Sequence, residues 1–161
     1  MRKLTKIVIG VFAVIGILGL VVTGFLYYFI TQVDYKYTGQ QLFDEVNKYR
    51  ASKNLIELQL DQKLCDNLVE RYLAIKNPNN GHKGFEEWVI SEGIKTGPDD
   101  NSKYNLIGEM YMKDVSTPQN AINWWLGSPG HKNTLEMDVF DRGCAYANDG
   151  TGVVILAESA N

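Results

Sequence analysis

Histidine and cysteine are scarce in this chain, with two of each in 161 residues. The cysteines, Cys65 and Cys144, lie far apart and show no Cys-x-x-Cys spacing, which excludes the usual local cysteine zinc site. Neither stands in or just after the N-terminal apolar run, so a lipid-modified cysteine there is excluded as well. No basic run occurs, which argues against nucleic acid as a partner. Helix and strand signals do not alternate in the βαβ manner, which argues against a parallel sheet. Internal repeats and low-complexity tracts are absent. From Ile7 to Ile30 there is no charged residue.

That uncharged stretch, rich in Ile, Val, Leu, Phe and Gly, is long enough to cross a bilayer as one helix. Arg2, Lys3 and Lys6 precede it and no acid occurs before Asp34, so the positive-inside rule puts residues 1–6 in the cytoplasm. A cleaved signal peptide is the competing reading, with Val22-Thr23-Gly24 as the small-residue site. Against cleavage, Phe25 to Ile30 continues the apolar run, and Tyr27 and Tyr28 suit an interfacial aromatic belt. The expectation is therefore a single-pass anchor over 7–30 in the cell membrane, a spacer over 31–37 and an extracellular domain over 38–161. If the leader is cleaved, that domain is secreted. Beyond the anchor, 13 basic residues face 19 acidic ones, a formal net charge of −6.

Outside the cell a disulfide between Cys65 and Cys144 is permitted. It would close a loop of about 80 residues and contribute roughly 4 kcal/mol in the chain-entropy view. Two buried free thiols are equally compatible with Cys65 on an apolar helix face and Cys144 in a strand.

Thr38-Gly39-Gln40-Gln41 has the form of a capping box, and Leu42, Val46 and Tyr49 recur at helical spacing, which predicts a helix over 39–52. Leu55, Ile56, Leu58 and Leu60 form an extended apolar link. Asp61 reads as the N-cap of a second helix, with Leu64, Cys65, Leu68, Val69, Tyr72 and Leu73 as its apolar face. Phe85, Trp88, Val89 and Ile94 suggest a short third helix, with Glu86, Glu87 and Glu92 solvated. Residues 95–104 are polar and turn-rich, a surface loop. Thr117-Pro118 starts a further helix. Val139 to Ala147 and Gly152 to Ala157 read as strands joined by the hairpin signal Asn148-Asp149-Gly150. The class is α+β.

One stretch organises the rest: Trp124-Trp125-Leu126-Gly127-Ser128-Pro129-Gly130-His131. Both tryptophans are expected to anchor a helix end in the core. Ser128-Pro129-Gly130 is expected to break the helix and leave His131 at the lip of a turn. His82 stands in a similar setting, after Asn79-Asn80-Gly81. Two histidines, each beside a glycine turn, suggest one shared site. Glu109 lies in an apolar run, Asn105 to Met112, so it should be paired, hydrogen-bonded or bound to a cation.

Together, Asn47-Lys48-Tyr49-Arg50, His82-Lys83-Gly84-Phe85, Ile107-Gly108-Glu109, the Trp125 to Lys132 stretch and Asp141-Arg142-Gly143-Cys144-Ala145 resemble the CAP superfamily in its bacterial extracellular branch. This is the family of SCP-like, cysteine-rich secretory, antigen 5 and pathogenesis-related 1 domains. The resemblance spans residues 42–156. It implies an α-β-α sandwich with a central antiparallel sheet, and an open cleft in which His82 and His131 match the family's two histidines and Glu109 its Gly-Glu acid. Two positions depart from the pattern. Met110 stands where Asn is usual, and Leu126-Gly127-Ser128 replaces a region that often carries a second glutamate.

Two imidazoles and a carboxylate suit Zn²⁺ or another divalent metal, with His82, Glu109 and His131 as ligands. The same cluster can also exist without metal. With the anchor over 7–30, the resemblance implies a membrane-tethered extracellular module that binds a metal, a cell-envelope component or a small lipid-like ligand. A metal-dependent hydrolase of peptide, cell wall or lipid is the enzymatic alternative, with metal-bound water as nucleophile. For that reading no catalytic base besides Glu109 is evident, and Ser128 is the nearest hydroxyl. A structural surface protein with a vestigial cleft is the third reading.

Overall fold

The computed structural model describes residues 37–66, 68–77, 79–94, 96–97 and 102–160, together with 19–23 and 25. The chain divides into two units, Met1–Asp34 and Tyr35–Asn161. In the first, residues 19–23 and 25 are helical and exposed. The rest of the expected 7–30 span, the cytoplasmic residues 1–6 and the spacer up to residue 36 lie outside the described residues. Among the described residues no helix is long and apolar enough to cross a membrane.

The second unit contains α1 (Gly39–Ser52), β1 (Gln59–Leu60), α2 (Gln62–Cys65), α3 (Leu68–Lys76), α4 (Phe85–Ser91), β2 (Tyr104–Met112), α5 (Pro118–Leu126), α6 (Pro129–Leu135), β3 (Arg142–Asn148) and β4 (Thr151–Ser159). The capping box at α1 forms as read. The Thr38 hydroxyl accepts from the Gln41 amide at 3.2 Å, and the Gln41 side chain accepts from the Thr38 amide at 2.8 Å. Thr117 likewise caps α5, with Pro118 in its first turn.

The four strands run in the order β1-β3-β4-β2. β3 and β4 form the hairpin, and its turn residues Asp149 and Gly150 both take positive φ, at 49° and 70°. This is the conformation that the primed hairpin turns demand. β2 lies antiparallel on the other side of β4. The expected all-antiparallel sheet needs one correction, because β1 pairs parallel with β3 through Gln59 and Leu60. The apolar link after α1 thus adds a short edge strand.

The sheet separates two cores. One gathers Leu42, Phe43 and Val46 of α1 with Ala121, Ile122 and Trp125 of α5 and Leu135 of α6. The other gathers Leu64, Leu68, Tyr72 and Ile75 with Trp88 and Val89 of α4. β4 runs between them, with Val154 and Leu156 facing the first core and Val153, Ile155 and Ala157 the second. A strand covered on both faces explains its unbroken apolar run. Each of its Val, Ile and Leu side chains contributes about 1.5–3 kcal/mol on burial. The helix-sheet-helix layering matches the expectation. Tyr37, the last residue of the expected spacer, is also buried in the first core.

Of the two cysteine readings, the bonded one holds: Cys65 and Cys144 form a disulfide that stitches α2 to β3. The expected second helix is divided, because Asp66 leaves helical geometry with ψ at 129°. Its inward face also differs from the one read. Leu64, Leu68, Arg71, Tyr72 and Ile75 are buried, whereas Val69 and Leu73 are exposed. The tryptophan pair is split too. Trp125 is wholly buried and its indole N–H donates to the Tyr111 carbonyl at 2.9 Å, but Trp124 is 44% exposed. Adjacent helical positions point about 100° apart, so a single packed face buries one more readily than both.

A histidine pair behind two buried arginines

β2 is the edge strand on which the site is built. Its alternation sends Met110 and Met112 into the first core, and leaves Glu109 and Tyr111 on the opposite face toward α3. Gly108, just before the acid, lies against α6. A β-carbon there would come within 3.1 Å of the Thr134 methyl and 3.3 Å of the Phe140 ring. Glycine at this position therefore lets the helix carrying His131 sit down on the strand carrying Glu109.

His131 does not hang at the lip of a turn. Ser128 takes the N-cap position of α6 and Pro129 enters its first turn, so His131 belongs to a second short helix. Proline at the first helical position has no amide to lose, and this is why Ser-Pro-Gly both ends α5 and starts α6. His82 lies in the loop between α3 and α4, on the other helical layer. Segments from opposite layers can touch only beyond a sheet edge, and they do so at β2.

The distances bring the three predicted residues together. His82 Nδ1 is 2.8 Å from Glu109 Oε1, and His82 Nε2 is 3.1 Å from His131 Nε2. Sequence reasoning missed the fourth member, Arg71 of α3. Its Nε–H donates to Glu109 Oε2 and its Nη2–H to Glu109 Oε1 at 2.8 Å. The same guanidinium donates to the carbonyls of Lys83 at 2.9 Å and Gly81 at 3.3 Å, on either side of His82. Both members of the ion pair are 1% exposed. The signal was in the sequence, since Arg71 falls on the stripe 64, 68, 71, 72, 75 at helical spacing.

The proton positions follow from these contacts. A carboxylate only accepts, so His82 Nδ1 is the donor to Glu109, which leaves its Nε2 facing His131. Burial pushes the His131 pKa down, the neighbouring His82 pushes it further, and Glu109 pulls the other way; the net shift is downward. Burial thus favours the neutral form of His131, and its Nδ1 is buried without a hydrogen-bond partner among the described residues.

Aromatic rings pack around the pair. Tyr111 meets His82 edge-on at 4.6 Å between centroids and His131 at 6.0 Å. The exposed Trp124 lies 5.3 Å from His131. Gly81 has φ +52°, and a β-carbon on it would come within 3.0 Å of the Tyr111 hydroxyl. Beside His82 an open depression of about 450 Å³ is lined by Gly84, Phe85, Glu86, Glu87 and Glu109. Among the described residues no group of three or more His, Cys, Asp or Glu is arranged to hold a metal ion. Glu109 does not join the two Nε2 atoms in such a group, because its oxygens face Arg71 and Nδ1 of His82.

A family model, described as the cysteine-rich secretory protein family, CAP, matches residues 43–157. The chain belongs to the CAP family. Two solved structures share the fold. One is an extracellular protein containing an SCP domain from Bacillus anthracis, at 23% identity and TM-score 0.59, covering 74% of this chain and 40% of that one. The other is a cysteine-rich secretory protein from Staphylococcus aureus, at 16% identity and TM-score 0.59, covering 75% of this chain and 38% of that one. The CAP chain described here thus spans about two-fifths of each. A search of curated proteins returns no significant match.

The motifs that carried the resemblance prove largely architectural in this CAP domain. The Asn47 side chain exchanges two hydrogen bonds with the backbone of Leu58, at 2.9 and 2.8 Å. The Tyr49 hydroxyl donates to Glu136 at 2.6 Å. Arg50 is fully buried, and its guanidinium donates to four carbonyls, those of Ile56, Leu135, Met137 and Phe140, at 2.8–3.0 Å. Two of these carbonyls lie at or just beyond the C-terminal end of α6, where a cation also meets the helix dipole favourably. Each histidine-bearing segment is therefore pinned through its backbone by one buried arginine: Arg50 holds α6 and Arg71 holds the His82 loop.

Proposed function

We propose that this CAP protein is a membrane-anchored extracellular module whose His82–His131 pair forms a cleft that binds a divalent metal ion or a small ligand at the cell surface. The observation that carries the reading is the approach of the two Nε2 atoms to 3.1 Å beside the half-exposed Trp124. Two nitrogens bound at about 2.0–2.1 Å to one tetrahedral ion lie roughly 3.3 Å apart, so the pair fits Zn²⁺ with little adjustment. His82 Nε2 and His131 Nε2 would be the ligands. Glu109 would orient His82 from behind, as carboxylates behind metal-bound histidines do. When bound, the ion would supply Lewis acidity toward an oxygen of the ligand. Two protein nitrogens hold Zn²⁺ less firmly than the three of most catalytic sites, which favours exchangeable binding over resident catalysis.

A hydrolase would need a free general base, and Glu109 is engaged at both oxygens by Arg71. The binding reading therefore stands ahead of the enzymatic one. Extracellular placement is supported by the disulfide, by the uncharged run over 7–30 and by the extracellular description of the Bacillus anthracis relative. Cell-envelope components or small lipid-like molecules are the partners this placement offers. The test is calorimetric titration of Zn²⁺ into the protein and into His82→Ala/His131→Ala. Saturable binding by the first and none by the second supports the site. Equal binding by both, or by neither, removes it.

A further inference from the structure

We infer that Arg71 is the positioning residue of the histidine pair: through Glu109 it fixes the proton of His82 on Nδ1, and through two carbonyls it fixes the loop that aims Nε2. The inference rests on the reading of His82 and His131 as a ligand-binding pair, but it concerns a residue outside that pair. Arg71 is 1% exposed and spends its donors in two ways. Toward the strand, Nε and Nη2 hold both oxygens of Glu109. Toward the loop, Nη1 and Nη2 hold the carbonyls of Lys83 and Gly81.

These contacts make one rigid frame. Arg71 donates to both oxygens of Glu109, so the carboxylate meets His82 as an acceptor, and His82 presents its proton at Nδ1 with Nε2 left toward His131. The planar fork spans acceptors on a strand and on a loop together, which a lysine ammonium cannot match. The nearby Phe85 ring, 5.8 Å from the guanidinium carbon, closes the remaining side.

The test reads the imidazole nitrogens directly, by long-range proton–nitrogen correlation on the full chain in detergent micelles without added metal. In the wild type His82 should carry its proton on Nδ1. In Arg71→Met/Glu109→Leu, which strands no buried charge and leaves Nδ1 no acceptor at position 109, His82 should shift to the Nε2–H form, and amide exchange at 79–84 should accelerate. Arg71→Lys keeps a cation beside Glu109 but not the fork, so it should retain the Nδ1–H form while the loop amides still exchange faster. Zn²⁺ affinity of the double variant should fall about 10–100-fold, the usual cost of losing a group behind a metal-bound histidine.

A wild-type His82 protonated on Nε2 would overturn the inference. So would a folded double variant that keeps the Nδ1–H form and unchanged loop exchange. The nitrogen spectra need no metal, so a wild type that binds no Zn²⁺ would remove the metal reading and leave the role of Arg71 to be decided by the spectra alone.

Discussion

Arg71 and Glu109 join α3 to β2 by a two-contact ion pair from which water is excluded, both side chains being 1% exposed. Removing one partner strands the other's charge in a buried site, which typically costs about 3–5 kcal/mol. Arg71→Met should therefore lower stability by about that amount in urea unfolding. Adding Glu109→Gln should recover at least half of the loss, because the stranded charge is gone. If the two single effects simply add, the pair is not coupled and the frame behind His82 is weaker than its geometry states.

Among the described residues the Arg50 guanidinium hydrogen-bonds to carbonyls, those of Ile56, Leu135, Met137 and Phe140. A lysine cannot reach four acceptors arranged around a plane. Each buried carbonyl left without a donor costs about 1–3 kcal/mol. Arg50→Lys should thus destabilise the domain by about 3 kcal/mol or more, read as a lower urea midpoint. Zn²⁺ binding should weaken in the same variant, since α6 carries His131 and loses its anchor.

The disulfide closes a separation of 79 residues. In the chain-entropy account a loop of that length is stabilised by about 4 kcal/mol relative to the open chain. Cys65→Ser/Cys144→Ser should lose about that amount, as should the wild type unfolded in the presence of a thiol reductant. A loss confined to the reductant experiment would point to chemistry other than this bond.

Asp141 sets an acid limit. Burial pushes its pKa up, but the Ser159 hydroxyl and amide and the nearby Arg142 outweigh burial and hold it below its ordinary 3.8. The Ser159 hydroxyl donates at 2.6 Å and its amide at 2.8 Å. A carboxyl whose folded pKa lies below its unfolded value adds stability that is fully present above the unfolded value. That contribution is lost as pH falls through the folded one. Asp141→Asn should therefore be less stable than the wild type at neutral pH, and the two should converge as pH falls below the ordinary carboxyl range. Urea midpoints at a series of pH values check this. A gap that stays constant into strong acid would mean that the carboxylate charge contributes nothing.

Most of the domain was legible because caps, turns and periodicity act locally. Thr38 and Gln41, Thr117 and Pro118, and Asp149 and Gly150 each determine their own geometry. Two misreadings have separate causes. Taking Val69 and Leu73 as inward rotated the second helix by one position and left Arg71 outside. A charged residue on an apolar stripe is discounted by any hydrophobic count, yet this one is inside because Glu109 and two carbonyls meet it there. Those partners come from other elements, and no local pattern contains them. The second misreading, a turn in place of α6, treated Pro129 as a stop when it stands in the first turn of a new helix, where its fixed φ suits a start.

The separation of Trp124 from Trp125 supplies both a stability contrast and a sensor. Trp125 fills the first core and donates to Tyr111, so Trp125→Ala should cost about 3–5 kcal/mol. Trp124 is 44% exposed and should cost far less when replaced. Its ring lies 5.3 Å from that of His131, so an ion drawn between the histidines changes the field and packing at that indole. Zn²⁺ should therefore alter the tryptophan emission of the wild type. The change should vanish in Trp124→Phe while affinity by calorimetry persists. An emission change that survives in Trp124→Phe would place the ion away from His131, and the histidine pair would lose its claim to the site.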